Sequence, residues 1–135
     1  MKRTFLAVVA GCITWFIGVS LFDRGLRLAM PGYAAAEPAM QFTLAMMAGR
    51  LVIAALSSLL AGAVAGAIAP VERGAWILGA LLLIFFIPVH VNLWQRFPLW
   101  YHLTFLLTLA PLVAAGGWLL HASRTPPVES GPSPA

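Results

Sequence analysis

The side chains best suited to chemistry lie in one stretch, residues 88–102, which reads PVHVNLWQRFPLWYH. Two histidines, His90 and His102, stand six residues either side of Arg96. Imidazole nitrogens bind metals and exchange protons, and a guanidinium pairs with carboxylate or phosphate. The runs on either side carry almost no polar residue, so this stretch is predicted to form the turn of a membrane hairpin.

One hypothesis for the two histidines is a metal or haem site. His90 and His102 would supply two ligands, and Glu37 in an earlier polar segment would supply a third. No short-spaced pair of the HExxH kind is present, and the single cysteine, Cys12, excludes a CxxC motif. A metal is the one cofactor that these residues suggest. An enzyme using this pair would need Glu37 or that metal to complete its site.

A second hypothesis is a pocket for an anion or a lipid head group. Four arginines would converge on a phosphate, with an asparagine as a hydrogen-bond partner; these residues are Arg24, Arg27, Arg50, Arg96 and Asn92. The net charge of +4 fits anionic lipid. Nucleic acid is not an expected partner, because the eight basic residues are scattered and form no stripe.

A third interpretation of these residues is purely structural. Arginines near a membrane surface extend their head groups towards water, and tryptophan and tyrosine gather at the interface. Trp94, Trp100 and Tyr101 would form such a belt, and the histidines would bond carbonyls freed by a kink at Pro88.

The composition of the chain and the length of its apolar runs predict the helices that hold these residues. The chain of 135 residues is 61% hydrophobic and 9% charged, with a mean hydropathy of +0.94, which is far outside the range of soluble proteins. Apolar runs long enough to span a bilayer predict four helices, at about residues 4–30, 38–69, 74–95 and 98–121. We therefore predict an all-α membrane protein, a four-helix transmembrane bundle of two hairpins. Residues 1–121 would be its single domain, and the Pro/Ser-rich residues 122–135 a short disordered tail.

The charges give the expected orientation. Four spans place both termini on one side with Lys2, Arg3, Arg73 and Arg124, against Arg24, Arg27 and Arg96 on the other. Positive charge favours the cytoplasm, so we expect cytoplasmic termini. An arginine at the bilayer centre costs about 3 kcal/mol, which places Arg50 near the interface.

Small residues recur every four positions along the second predicted span. They are Ala54, Ser58, Gly62 and Gly66. Such a ribbon lets another helix backbone approach closely. It predicts helix packing, either within this chain or at the seam of a homodimer.

The segments WQRFPLWYHLTFL and PGYAAAEPAM resemble those of small, uncharacterised bacterial integral membrane proteins with four predicted spans. The resemblance covers nearly the whole chain. It implies a multi-pass protein of the bacterial inner membrane, and it carries over no functional residue.

The predicted function is that of a binding or accessory component with a polar Arg/His/Trp cluster at one membrane face. Its partners would be the lipid bilayer, anionic lipid, and a second copy or another membrane protein. The alternative is a small transporter or channel subunit that must oligomerise to enclose a pathway. No Asp or Glu lies inside an apolar run, which argues against ion-coupled transport. A membrane enzyme built on His90 and His102 is the third hypothesis.

Overall fold

The computed structural model describes residues 1–124, except for the side chains of residues 71 and 72. Its helices are α1 (Lys2–Ala29), α2 (Tyr33–Ala36), α3 (Leu44–Ile68), α4 (Val71–Asn92) and α5 (Leu99–Arg124). All of these except the one-turn α2 contain a segment long and apolar enough to cross a membrane. The predicted all-α class with four spans is thereby confirmed.

The second span begins later than predicted, at Leu44 instead of residue 38. Thr43 has extended backbone angles, and its hydroxyl accepts a hydrogen bond from the amide of Met46 at 3.3 Å, which is an N-cap. Met40 adopts a positive φ of 51°, which interrupts helical geometry before that cap. The predicted long helix is thus divided between the short α2, a turn and α3.

The last helix ends later than predicted. Residues 122–124 belong to α5, whereas the sequence assigned them to the disordered tail. The remaining tail, residues 125–135, lies outside the described residues. Pro88 and Pro111 lie within α4 and α5 without ending either helix.

The two hairpins pack side by side. The first joins α1 to α3 and the second joins α4 to α5, and they meet where α3 packs on α5 and α1 packs on α4. The core where all four helices meet is made of fully buried small and aliphatic residues, which are Ala7, Ala61, Ala65, Leu78 and Val113.

We call the end of the bundle that contains the chain's N-terminus and the C-terminal part of α5 the closed half. Here α3 and α5 meet through their backbones: a Cβ added to Gly62 would overlap the carbonyl of Val113, and one on Gly116 would overlap that of Leu59. A Cβ on Gly66 would lie 2.9 Å from the Cα of Gly117. The glycines of the predicted small-residue ribbon therefore lie against α5 of the same chain.

Ala54 and Ser58, the other two ribbon residues, are also buried inside the bundle. The indole N–H of Trp15 donates to the Ser58 hydroxyl at 3.0 Å, which links α1 to α3 near the middle of the bundle. Beyond this bond lies the opposite end, which we call the polar half. It contains the α1–α3 connection, residues 30–43, and the α4–α5 turn, residues 93–98.

Candidate functional site

The guanidinium of Arg50 is the centre of a hydrogen-bond network in the polar half. Its Nη1 donates to the hydroxyl of Tyr33 at 2.8 Å, and that hydroxyl donates to Oδ1 of Asp23 at 2.8 Å. Its Nε donates to the hydroxyl of Tyr101 at 3.4 Å. One arginine on α3 thereby connects residues of α1, α2 and α5.

A second arginine holds the carboxylates at the mouth of this region. Arg27 Nε lies 3.1 Å from Asp23 Oδ2, and Arg27 Nη2 lies 2.9 Å from Glu37 Oε1. The first contact joins residues four apart in α1, a spacing at which opposite charges meet on one face of a helix. Arg50 Nη1 lies 3.9 Å from Asp23 Oδ1, so two acidic and two basic side chains balance in charge. Exposed pairs of this kind contribute little to stability, so their main effect is to position the connection.

Tyr33 anchors that connection to the bundle. Its side chain is fully buried, although it follows directly after the turn at Pro31 and Gly32. Burial, with the hydrogen bond to Asp23, raises the pKa of Tyr33 to about 12, despite the opposing effect of Arg50. The phenol is therefore neutral near pH 7, and it both donates and accepts a hydrogen bond.

The two histidines of the α4–α5 hairpin face each other. Their Nδ1 atoms are 2.8 Å apart, and the rings are nearly perpendicular at 82°. Trp94 stacks on His102 with ring centroids 4.9 Å apart, and Phe105 packs on His90 at 4.5 Å. Sequence spacing predicted the matching depth of the two imidazoles, and tertiary packing turns them towards each other.

The predicted metal ligands are not assembled as a set of three. Within residues 1–124, no group of three or more His, Cys, Asp or Glu side chains is placed to hold a metal ion. Glu37 pairs with Arg27, and the Nδ1 atoms of His90 and His102 contact each other. A separation of 2.8 Å is that of a hydrogen bond, which needs one nitrogen protonated and the other bare.

A cavity of about 400 Å³ is lined by residues of α1, α3, α4 and α5. Most of its wall is apolar, and the aromatic rings in it are those of Trp15, Phe16, Phe86, Phe97, Tyr101 and Phe105. The polar side chains in its lining are those of Ser20, Asp23, Glu37, Arg50 and His90, with the hydroxyl of Tyr101. Its size and its few polar groups are typical of small-molecule sites.

The five predicted anion-binding residues do not line this cavity together. Arg50 is part of its wall, and Arg27 holds the two carboxylates at its mouth. Arg24, Asn92 and Arg96 are exposed and lie outside the lining.

Tyr33 is the residue at this site that sequence reasoning missed. The available signal was a single aromatic residue in the otherwise alanine-rich segment PGYAAAEP. Tyr101 was assigned only to the interfacial belt, but its hydroxyl is part of the Arg50 network.

A second depression, of about 480 Å³, lies at the closed end of the bundle. Its lining includes Arg3, Pro70, Trp118 and His121, and the remainder is contributed by the end of α3 and by Ala122. None of the polar side chains that are buried in the described residues lies in it. The polar half is therefore the better candidate for function.

No family model, no curated protein and no solved structure matches the chain. The sequence and the fold agree on an all-helical protein with four helices able to span a membrane, and Asp23, Glu37, Arg50 and His90 line one cavity.

Proposed function

We propose that this chain is a membrane binding protein whose cavity holds the polar end of an amphipathic, lipid-like molecule. The observation that carries the proposal is the convergence of three hydrogen-bond donors on an aromatic-walled cavity. The donors are Arg50 from α3, His90 from α4 and Tyr101 from α5. The apolar part of the same molecule would remain in the bilayer.

Hydrogen-bond donors that have no acceptor in the protein support a ligand with a polar end. Arg50 uses Nη1 and Nε, and its Nη2 has no hydrogen-bond partner among the described residues. Tyr101 accepts from Arg50, and within residues 1–124 no acceptor receives its own O–H. Asp23, by contrast, already accepts at both carboxylate oxygens, and Glu37 accepts at Oε1. The cavity therefore offers donors, and it suits a head group rich in acceptor oxygens.

The arrangement of α1 and α4 supports access from the bilayer. The helices touch in the closed half, where a Cβ on Gly11 would overlap the side chain of Leu78. Farther along, the rings of Phe16 and Phe85 pack edge to face with their centroids 5.7 Å apart, and both rings are exposed on the outer surface. Beyond these rings the cavity lies between the two helices, so a molecule in the adjacent leaflet would reach it sideways.

The same proposal includes the location and the partners. We place the chain in the inner membrane of a bacterium with both termini in the cytoplasm, in keeping with Lys2 and Arg3 at its start. The polar half would then face the outer leaflet.

As an accessory component, the chain would present its ligand to a second copy or to another membrane protein. A transporter or channel would need several copies, because α3 and α5 of one chain are in backbone contact at Gly62, Gly66 and Gly116 in the closed half.

A cavity-filling substitution tests the proposal. Val19 lines the cavity, whereas Ile17 on the same helix is 54% exposed. We expect native mass spectrometry from a gentle detergent to show a retained amphiphile on the wild type and on Ile17→Trp. Val19→Trp should lose it, because the indole occupies the same volume.

Equal retention by all three proteins would contradict the proposal, as would a wild type that retains no amphiphile under any gentle condition. Elemental analysis of the same samples tests the metal hypothesis for His90 and His102. Stoichiometric metal on the wild type would favour the enzyme hypothesis over the binding protein.

A further inference from the structure

We infer that the head group bound in this cavity is an uncharged ring that carries carbonyl oxygens, the chemistry of a membrane quinone, and that Nε2–H of His90 donates to one carbonyl. The inference rests on the proposed function and specifies its ligand. It is drawn from the tautomers of the histidine pair, the charge balance of the cavity and the shape of its walls.

The contact between the two histidines determines which ring nitrogen of each carries the proton. One Nδ1 must donate and the other accept across 2.8 Å. The Nε2 of His102 is buried and is the one buried side-chain nitrogen or oxygen without a partner among the described residues. Unpaired buried N–H groups are rarer in proteins than under-satisfied buried acceptors, which favours a bare Nε2 at this place. His102 therefore carries its proton on Nδ1 and donates to Nδ1 of His90.

This assignment fixes what His90 presents to the cavity. With its Nδ1 accepting from His102, a neutral His90 carries its proton on Nε2. Because His90 lines the cavity and is 6% exposed, that N–H is available to a bound molecule. His102 touches no ligand; it is a positioning residue that determines which nitrogen of His90 is the donor.

The charges around the cavity favour a neutral acceptor over a phosphate. Asp23 and Glu37 both line the cavity, and Arg50 is the one basic side chain in that lining. Arg27 neutralises the second carboxylate from outside, at 2.9 Å from Glu37. A phosphate would lie beside two carboxylates in a site already balanced, whereas a carbonyl oxygen accepts the same hydrogen bonds without added charge.

The walls favour a flat ring. His90 is packed against Phe105 at 4.5 Å with an angle of 31°, and it stacks with Tyr101 at 22°. Phe16 and Phe86 contribute two further rings, 6.5 Å apart and 30° from parallel. Aromatic faces and edges contact a planar ring over more area than they contact a branched head group. A planar carbonyl compound satisfies both the walls and the donors.

The test compares two substitutions of one residue. The amide nitrogen of glutamine reaches the position of Nε2, so His90→Gln keeps the donor to the cavity. The side-chain amide of asparagine reaches only the position of Nδ1, where its oxygen accepts from His102, so His90→Asn keeps that bond and loses the donor to the cavity. The probe is a decyl-substituted benzoquinone, and the signal is saturable quenching of Trp15, taken as the difference from Trp15→Phe. We expect binding to the wild type and His90→Gln, and binding about tenfold weaker to His90→Asn.

The positioning role of His102 has its own pair of variants. His102→Leu removes the donor and lets the proton of His90 move to Nδ1, so benzoquinone binding should weaken. His102→Asn places an amide N–H where Nδ1–H stood and should restore it. A loss that His102→Asn fails to restore would overturn the positioning role.

Two control probes separate failure of this inference from failure of the proposed function. Bromododecanol has an alkyl chain, an oxygen and a quenching bromine but no ring. Dodecyl phosphate supplies an anionic head group, and because it does not quench tryptophan, its binding is read as displacement of bromododecanol. If bromododecanol quenches Trp15 saturably and the benzoquinone does not, the inference is overturned and the proposed function stands. If dodecyl phosphate binds and the benzoquinone does not, the head group is an anion. If no probe binds, both proposals fall, and equal benzoquinone affinity in His90→Gln and His90→Asn removes the donor role of His90.

Discussion

The closed half and the polar half use the same four helices and differ in the size of the residues between them. In the closed half, glycines such as Gly62 and Gly116 bring α3 and α5 into backbone contact. In the polar half, aromatic rings stand between the helices, as where Phe86 meets Phe105 with centroids 5.1 Å apart. Small residues let helices touch, and large rings hold them apart. The cavity of the polar half lies among such rings, with Phe16, Phe86 and Phe105 in its lining.

The halves also differ in how they satisfy polar groups. The core of the closed half is built from Ala61, Ala65, Leu78 and Val113, which have no side-chain polar atoms. The polar half buries Tyr33 and His102, and it surrounds Arg50 with hydroxyl and carboxylate partners. Polar groups at membrane depth are tolerated when they are paired or line a cavity. We therefore propose that the closed half acts as a support and that a ligand would find its polar partners in the polar half.

The largest effect should come from disturbing the closed half. In Gly62→Ala the new Cβ overlaps the Val113 carbonyl, so the helices must separate, and we expect a loss of about 3 kcal/mol in unfolding free energy. Gly25→Ala is the matched control, because a Cβ there meets nothing within 4 Å. It should leave stability unchanged or raise it by about 1 kcal/mol. Denaturant titration in detergent micelles measures both, and equal effects would mean that close approach of α3 and α5 is not essential.

A smaller effect should follow when the centre of the polar half is removed. Arg50→Leu leaves Tyr33 and Tyr101 without their donor, and we expect a loss of about 2 kcal/mol in unfolding free energy. Arg24→Leu removes the same charge from an exposed position and should change stability by less than about 0.5 kcal/mol.

Anionic lipid that co-purifies with each of these two variants tests the predicted head-group pocket. If Arg50→Leu retains as much of it as Arg24→Leu does, Arg50 does not bind an anionic head group.

The smallest effect should appear at alkaline pH. The pKa of Tyr33 is raised from 10.0 to about 12 in the folded protein, so the neutral phenol is favoured by folding. This contribution is fully present below pH 10 and is lost as pH rises towards 12. At about pH 11 the loss is about 1.4 kcal/mol. Unfolding measured at pH 9 and pH 11 should show this loss in the wild type and not in Tyr33→Phe. The same slope in both proteins would show that another group is responsible.

The four spans could be predicted because the bilayer sets the requirement directly. Run length and the lack of charge are properties of the sequence alone, and the helices at Lys2–Ala29 and Leu99–Arg124 follow from them. The start of α3 could not be predicted in this way. It depends on the positive φ of Met40 and the cap at Thr43. These are local backbone conformations in a connection whose sequence has no hydrophobic periodicity.

The sequence predicted how deep the histidines of the site lie in the bundle, but not the direction in which their side chains point. Spacing placed His90 and His102 at one level, but only helix packing determines that their Nδ1 atoms meet. Spacing likewise did not show that Arg24, Asn92 and Arg96 are exposed and lie outside the lining of the cavity. Tyr33 was missed because its burial requires the connection to fold back onto α1 and α3.

The most direct test of a polar-half binding site is photolabelling of the full chain in membranes with an alkyl diazirine alcohol, followed by peptide mapping. Labelling that excess unlabelled alcohol displaces should fall on cavity residues such as Val19, Val89 and Leu93. Labelling of exposed residues such as Ile17 and Leu107 should persist, because they face lipid non-specifically. Displaceable labelling only in the closed half, or none anywhere, would contradict the account.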